Sequence, residues 1–406
     1  MIYLDNAATT WPKPPAVVHA MQQAMEQFGA NPGRGGHAMS LRASEEVYRC
    51  REAAARLFHL DNPENVIFTM NCTMSLNIVL KGILASGGRA VVSSLEHNAV
   101  MRPLETMGRG VPLYDVARVV PSNDAATVEA FERCITPQTR VIVCTHASNV
   151  FGVRLPIRQI GELAVKYHLP FVVDAAQSAG ILPIDMQADH IDFLCMPGHK
   201  GLYGPMGTGL LLCSGRYPLP SFIEGGTGSQ SIQLMQPEEL PEHLESGTLN
   251  LPGICGLRAG METIEKKGLE TIRRHEVQLV SRIYTQLKSC PGVRLYTTPQ
   301  LLQTASPVLS FNIGGYTSEE VAAKLDRHGI AVRARLHCAP CAHQQFGTLP
   351  DGTVRAAPSM FTTPQAADQL CRLSGFCENK AVPGASAGRA EDADTGRSAH
   401  VRHVRR

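Results

Sequence analysis

Between Val66 and Cys213 the sequence switches repeatedly between two periods. Short apolar runs, "NVIFTM", "RAVVSS", "TRVIVCT", "PFVVD", "HIDFLCMP" and "GTGLLLC", are separated by stretches with apolar residues at helical spacing. The clearest of these is "PIRQIGELAVKYHL". Short runs rich in Val, Ile and Phe fit buried strands, and strands alternating with helices fit a mostly parallel sheet. The pattern predicts an α/β fold, a mostly parallel central sheet with helices packed on both faces. Such a sheet takes its ligand beyond the carboxyl ends of the strands. His97, Asn149, Asp174 and Lys200 each fall at or soon after such an end.

Beyond the last of these runs the character changes. Residues 221–253 are rich in Gly, Pro and Ser and read as an extended connection. From about Gly253 a long helical pattern starts, followed by "ASPVLSFNIGG", a helix near "SEEVAAKLDRHG", and "IAVRARLHCAPC". The expected organisation is a large domain over 1–252 and a smaller α+β C-terminal domain over 253–378, with about the first fifteen residues packing on the smaller one. The segment 379–406 is small, charged and nearly free of large apolar groups, so it is expected to be a disordered tail.

Composition closes several routes. A net charge of +2 and 5% aromatic residues, without basic–aromatic interleaving, argue against a nucleic-acid partner. No run of about 18 apolar residues is present, so no membrane span is expected. The opening "MIYLDNAATT" has no basic and apolar leader pattern. Twelve cysteines scattered through strand-like runs read as reduced, mostly buried thiols of a cytoplasmic protein.

The chemistry is carried by a lysine and an acid. Lys200 stands between an apolar strand and a glycine loop in "CMPGHKGLYGP", and Asp174 ends the strand "FVVD". Alone, Asp174 reads equally well as an N-cap. Together, the two are what a pyridoxal phosphate enzyme needs: an amine for the aldehyde and an acid that keeps the ring nitrogen protonated. The turn at "TMNCTMSLN" can offer free amides around Cys72 and Thr73 to a phosphate, though Thr73 alone reads as well as an N-cap, and His199 reads equally as a further donor or a satisfied structural histidine. His97 in "EHNAV" could stack on a flat ring and move protons, though singly it is an ordinary loop histidine.

These motifs, with "YLDNAATT", "HASNVFG", "VVDAAQSAG", "ESGTLN" and "RLHCAP", resemble the class V, fold-type I pyridoxal phosphate enzymes. Within that class they are most similar to cysteine desulfurases of the Suf-like group, which includes selenocysteine lyases. The resemblance runs from the N-terminus to about residue 368 and implies pyridoxal 5′-phosphate as cofactor. It implies that Lys200 forms the Schiff base, Asp174 pairs the ring nitrogen, Gln177 bonds the ring hydroxyl and His97 stacks on the ring. Cys72, Thr73 and His199 would hold the phosphate, Asn149 would line the cofactor and substrate pocket, and Thr248 would reach the phosphate of a neighbouring subunit in a homodimer with shared active sites. Arg355 would grip the substrate carboxylate, with Arg333 beside it, and Cys338 would be the sulfur-accepting nucleophile.

The implied reaction converts L-cysteine to L-alanine and leaves sulfur on Cys338 as a persulfide, for iron–sulfur clusters or thiolated cofactors through a sulfur-acceptor protein. A selenocysteine lyase acting on L-selenocysteine, another class V lyase or aminotransferase, and a non-catalytic sulfur-relay or scaffold protein are the alternatives. Cys338 and Cys341 form a Cys-x-x-Cys pair, but no second pair accompanies them, and no metal is expected. Arg333, Arg335 and His337 are expected to give Cys338 a positive neighbourhood. Arg335 stands where the family pattern Arg-x-Gly-x-His-Cys has glycine, so a positive φ there would strain it. Met196 and Pro197 replace a small hydroxyl residue before Gly-His-Lys and remove one phosphate donor.

Overall fold

The computed structural model describes residues 1–33 and 36–373; the expected tail over 379–406 lies outside them. The strands are β1 (Ile2–Tyr3), β2 (Val66–Thr69), β3 (Arg89–Ser93), β4 (Tyr114–Ala117), β5 (Thr139–Thr145) and β6 (Phe171–Asp174). They continue with β7 (Phe193–Pro197), β8 (Gly209–Cys213), β9 (Val293–Leu295), β10 (Leu309–Ile313), β11 (Ile330–Ala331) and β12 (Val354–Ala356). Seven of them form one sheet in the order β2-β8-β7-β6-β5-β3-β4. Every pairing from β7 through β4 is parallel, whereas β8 runs antiparallel to both β7 and β2. The mostly parallel α/β sheet is therefore present, with one reversed strand. Reversal follows from the short link after β7, which holds no helix to carry the chain back across the sheet.

Both faces of this sheet are buried, and the period-two alternation of each strand sorts its side chains between two cores. Val141 and Val143 of β5 join Val92, Val172 and Phe193 on one face. Ile142 and Cys144 join Val91, Phe171, Val173 and Leu194 on the other. Each such aliphatic or aromatic side chain contributes about 2 kcal/mol by leaving water. Continuous apolar runs, rather than alternating ones, are the consequence.

A second, antiparallel sheet in the order β12-β10-β9 packs with the helix Leu269–Lys288 around Leu309, Phe311, Ile283 and Leu287. Leu4 belongs to this core as well, because β1 pairs in parallel with β11. No regular helix or strand interrupts the chain from the end of β8 to Leu251. Among the described residues no helix is long and apolar enough to cross a membrane.

Candidate active site

The carboxyl ends of β3, β5, β6 and β7 lie side by side, and the residues that follow them line one cavity. Its wall holds Cys72, Thr73, His97, Asn149, Asp174, Gln177, His199 and Lys200, together with Asn71, Ala99, Thr145, Ala176 and Pro197. Eight residues singled out from sequence thus meet in one place, drawn from segments 128 positions apart at the extremes (200 minus 72).

Lys200 is held in its turn by close backbone approach. A Cβ on Gly201 would sit 2.3 Å from the Ala179 carbonyl oxygen, so only glycine lets the lysine loop lie against the turn that follows Asp174. The N-terminal segment clamps the same loop from the other side. The His199 carbonyl accepts from the Thr9 hydroxyl (3.1 Å), the Thr10 amide (3.1 Å), the Thr10 hydroxyl (3.2 Å) and Lys13 Nζ (2.7 Å). The Thr10 hydroxyl also donates to the Lys200 carbonyl at 3.1 Å. Lys200 Nζ itself has neither a hydrogen bond nor an ion pair among the described residues. Burial, aided by the Arg355 charge, pulls its pKa below the usual lysine value, which favours a free amine.

Asp174 is 2% exposed, and its Oδ1 accepts from the Ala176 amide at 2.9 Å and from the Cys72 thiol at 3.4 Å. Its Oδ2 has no hydrogen-bond partner among the described residues. The helix Cys72–Ile83 opens on Asn71, whose side chain accepts from Met74 N–H, and the Cys72 and Thr73 amides are left without partners among the described residues. An anion fits such a helix start. His199 Nδ1 is buried without a partner, and burial, followed by the Lys200 and Lys13 charges, lowers its pKa to about 4. His97 is the N-cap of the helix Asn98–Gly108, its Nδ1 accepting from Ala99 N–H at 3.0 Å. Burial lowers its pKa, with the Asp174 charge opposing, so the neutral ring carries its proton on Nε2. Pro197 sits in the wall and has no N–H to offer an anion.

Cys338 lies outside this wall, on a loop docked over it. His337 and Ala339 are 7% and 0% exposed, whereas Cys338 between them is exposed. Asn149 Nδ2 donates to the His337 carbonyl at 2.7 Å, and the Asn98 amide donates to the Cys338 carbonyl at 2.8 Å. Residues beside His97 and within the cavity wall therefore hold the backbone that displays the thiol. Behind it His337 Nδ1 meets His343 Nε2 at 3.4 Å, and His343 Nδ1 meets the Thr348 hydroxyl at 2.7 Å.

The positive neighbourhood expected for Cys338 needs correction. Burial, with Arg355 and His343 adding to it, holds the His337 pKa down to about 2, so that ring is neutral. Arg335 is paired with Glu319 at 3.3 Å, and exposed Arg333 lies 3.7 Å from Asp5. The expected positive φ is present: Arg335 has φ 79°, and His337 and Cys338 follow at 50° and 56°. A Cβ on Gly352 would sit 2.2 Å from the Arg335 carbonyl oxygen, so this loop too needs a bare glycine against its backbone.

Arg355 lies in β12, 2% exposed, its Nη1 donating to the Asn149 carbonyl at 2.9 Å and its Nη2 to Asp5 at 2.8 Å. Its Nε is buried without a partner. Thr248 is exposed and, like Arg333, is not part of the wall. Sequence reasoning missed Asp5, Thr9, Thr10 and Lys13; the "YLDNAATT" motif was the available signal for the first three, but it carried no individual roles, and Lys13 lies beyond it. No group of three or more His, Cys, Asp or Glu among the described residues is placed to hold a metal ion.

Comparison with known proteins completes the description. Residues 2–370 match the class-V aminotransferase family. A probable cysteine desulfurase of Methanothermobacter thermautotrophicus is 34% identical over 377 residues, 90% of this chain and 91% of that protein. A cysteine desulfurase of Escherichia coli O157:H7 is 30% identical over 381 residues, 91% of each chain. The apo structure of a cysteine desulfurase from Thermococcus onnurineus NA1 superposes with a TM-score of 0.86 at 31% identity, over 93% of this chain and 95% of that one. This protein thus belongs to the class-V aminotransferase family, whose enzymes depend on pyridoxal 5′-phosphate.

Proposed function

We propose that this protein is a pyridoxal phosphate-dependent cysteine desulfurase that releases L-alanine from L-cysteine and takes the sulfur onto Cys338. One observation carries the reading. The unpartnered amine of half-buried Lys200 shares a cavity with Asp174, and the wall of that cavity holds the loop displaying an exposed cysteine.

The groups in the cavity fit the cofactor. Pyridoxal phosphate, when bound, supplies an electron sink for the bonds around an amino acid's Cα and Cβ. Lys200 Nζ would be the amine that holds its aldehyde and, as a free amine, would be placed to accept the substrate's Cα proton. Asp174 Oδ2 is free to receive a ring N–H, and Gln177, whose Nε2 donates to the Ala7 carbonyl at 3.0 Å, keeps its amide oxygen and second N–H for the ring hydroxyl. The Cys72 and Thr73 amides and His199 would hold the phosphate, and His97 would stack on the ring. Arg355 and Asn149 hold the substrate carboxylate, with Arg333 beside them. Cys338 Sγ attacks the substrate sulfur, so that a carbon–sulfur bond breaks and a sulfur–sulfur bond forms.

Four finer readings go with this function. The division at residue 252 is supported by the seven-stranded sheet before it and the β12-β10-β9 sheet after it, and the packing of the first residues on the smaller domain by the β1–β11 pair. A homodimer in which Thr248 serves the neighbouring site is supported by its exposure here, and by exposed Ile232, Leu234 and Met235 on the same connection. A sulfur-acceptor protein, leading to iron–sulfur clusters or thiolated cofactors, is supported by the outward display of Cys338. A cytoplasmic location is supported by the free thiols of all the cysteines described.

The test is direct. Purified protein should absorb in the visible, lose that band on borohydride reduction, and form equimolar alanine and sulfide from L-cysteine with a reducing thiol. Cys338→Ala should keep the band and lose persulfide formation. Undiminished sulfur transfer in that variant would overturn the nucleophile, an amino product from a keto acid would indicate an aminotransferase, and a colourless protein that binds no cofactor would end the reading.

A further inference from the structure

The carboxylate of Asp174 is not simply buried; its two oxygens are treated differently. Oδ1 receives two donors, the Ala176 amide at 2.9 Å and the Cys72 thiol at 3.4 Å, and Oδ2 receives none among the described residues. A carboxylate turns about its terminal torsion between two nearly equivalent settings, so nothing intrinsic to aspartate decides which oxygen faces a ligand. The Ala176 amide belongs to the same turn as Asp174 and moves with it. Cys72 comes from elsewhere, the first residue of the helix Cys72–Ile83, and is 7% exposed.

We propose that Cys72 is a positioning residue: its thiol, by donating to Asp174 Oδ1, fixes the carboxylate so that Oδ2 is the oxygen presented to the cofactor's ring nitrogen. The inference rests on the pyridoxal phosphate reading above for the ring nitrogen, and on the structure alone for the thiol–carboxylate bond.

Two further facts separate Cys72 from the other thiols. Burial, and then the Asp174 charge, push its pKa well above the usual thiol value, so it remains a donor and is no competitor of Cys338 for sulfur. Its position at the helix start also ties the two ends of a bound cofactor to one residue. The backbone amide is left without a partner among the described residues at the helix start, while the side chain reaches Asp174.

The experiment compares wild type with Cys72→Ala, Cys72→Ser and Asp174→Asn, and with the Cys72→Ala/Asp174→Asn pair. In the apo-protein, the infrared S–H stretching band missing from Cys72→Ala should shift in Asp174→Asn, which reads the bond without any cofactor. Titrated with pyridoxal phosphate, Cys72→Ala should bind about three- to tenfold more weakly, the size expected for one ordinary net hydrogen bond acting through Asp174. The pH midpoint of its visible band should move as well. Cys72→Ser, which keeps a donor but packs less well in an apolar setting, should restore both to within about twofold. In the Asp174→Asn background Cys72→Ala should change nothing further. A band indifferent to Asp174→Asn, a serine variant no better than alanine, or an undiminished alanine effect without Asp174 would each overturn the inference. Wild-type protein that binds no pyridoxal phosphate would instead overturn the reading on which it rests, with the infrared result standing.

Discussion

Asp5 and Arg355, 350 positions apart in sequence, form an ion pair with Nη2 of the arginine 2.8 Å from Oδ1 of the acid. The same guanidinium is tied by Nη1 to the Asn149 carbonyl, so its plane is fixed from two sides, and its buried Nε has no partner. An arginine held in one orientation, with a further N–H on each terminal nitrogen uncommitted among the described residues, is prepared for a carboxylate.

Replacing Asp5 by Asn should therefore act on substrate binding. Removing one partner of a buried pair typically costs about 3 kcal/mol of stability. In steady-state assays the KM for L-cysteine should rise about tenfold with kcat within about twofold, the pattern of a lost uniform binding interaction. A fall in kcat at constant KM would show that Asp5 does not orient Arg355 for the substrate.

Lys13 carries a pH signature of its own. Burial lowers its pKa to about 8, below the ordinary lysine value of 10.5. Between those values the unfolded chain binds more protons than the native one, so stability rises with pH across that window. Lys13→Met should abolish this rise, measured as Tm from pH 7.5 to 10.5. An unchanged slope would place the Lys13 charge outside the folding balance.

Glu276 has the opposite sign. It is fully buried, accepts from the Tyr203 hydroxyl at 3.2 Å, and has its pKa raised by burial from 4.5 to about 8. A raised carboxyl adds stability that is complete below pH 4.5 and is lost as pH climbs through 8. Glu276→Gln should flatten the decline of Tm between pH 5 and 8.5. Glu96, buried beside Thr145 and raised to about 8 by the same cause, should behave alike in Glu96→Gln.

The Cys338 loop stores strain at Arg335. A non-glycine residue at φ 79° costs on the order of 1 kcal/mol, against a small contribution from its exposed pair with Glu319. Arg335→Gly should raise the unfolding free energy by up to about 1 kcal/mol in urea titration. Gly352→Ala, by contrast, pushes a methyl into the Arg335 carbonyl and should destabilise by 2 kcal/mol or more, on the order expected for overpacking. Equal stabilities for both variants would mean that the loop adapts freely.

Much of the fold and of the cavity could be read from local pattern. The apolar runs from Val66 to Cys213 did form the central sheet, because strands buried on both faces need continuous apolar residues. Asp174, His97 and Lys200 were found because the carboxyl ends of parallel strands converge. The reversed direction of β8 was not legible, since an apolar run has no direction. Nor was the neutrality of His337, which follows first from burial and then from the charge of Arg355, brought close only by the fold. The Asp5–Arg355 pair and the thiol bond to Asp174 join segments far apart, and periodicity carries no record of such meetings.

The contacts of residues 2–13 couple two distant parts of the fold. β1 pairs with β11, the Leu4 carbonyl accepts from Ala357 N–H, and Thr9, Thr10 and Lys13 close on the His199 carbonyl. One short segment therefore holds both β11 and the loop carrying Lys200, so a single substitution that frees it would unsettle the two together.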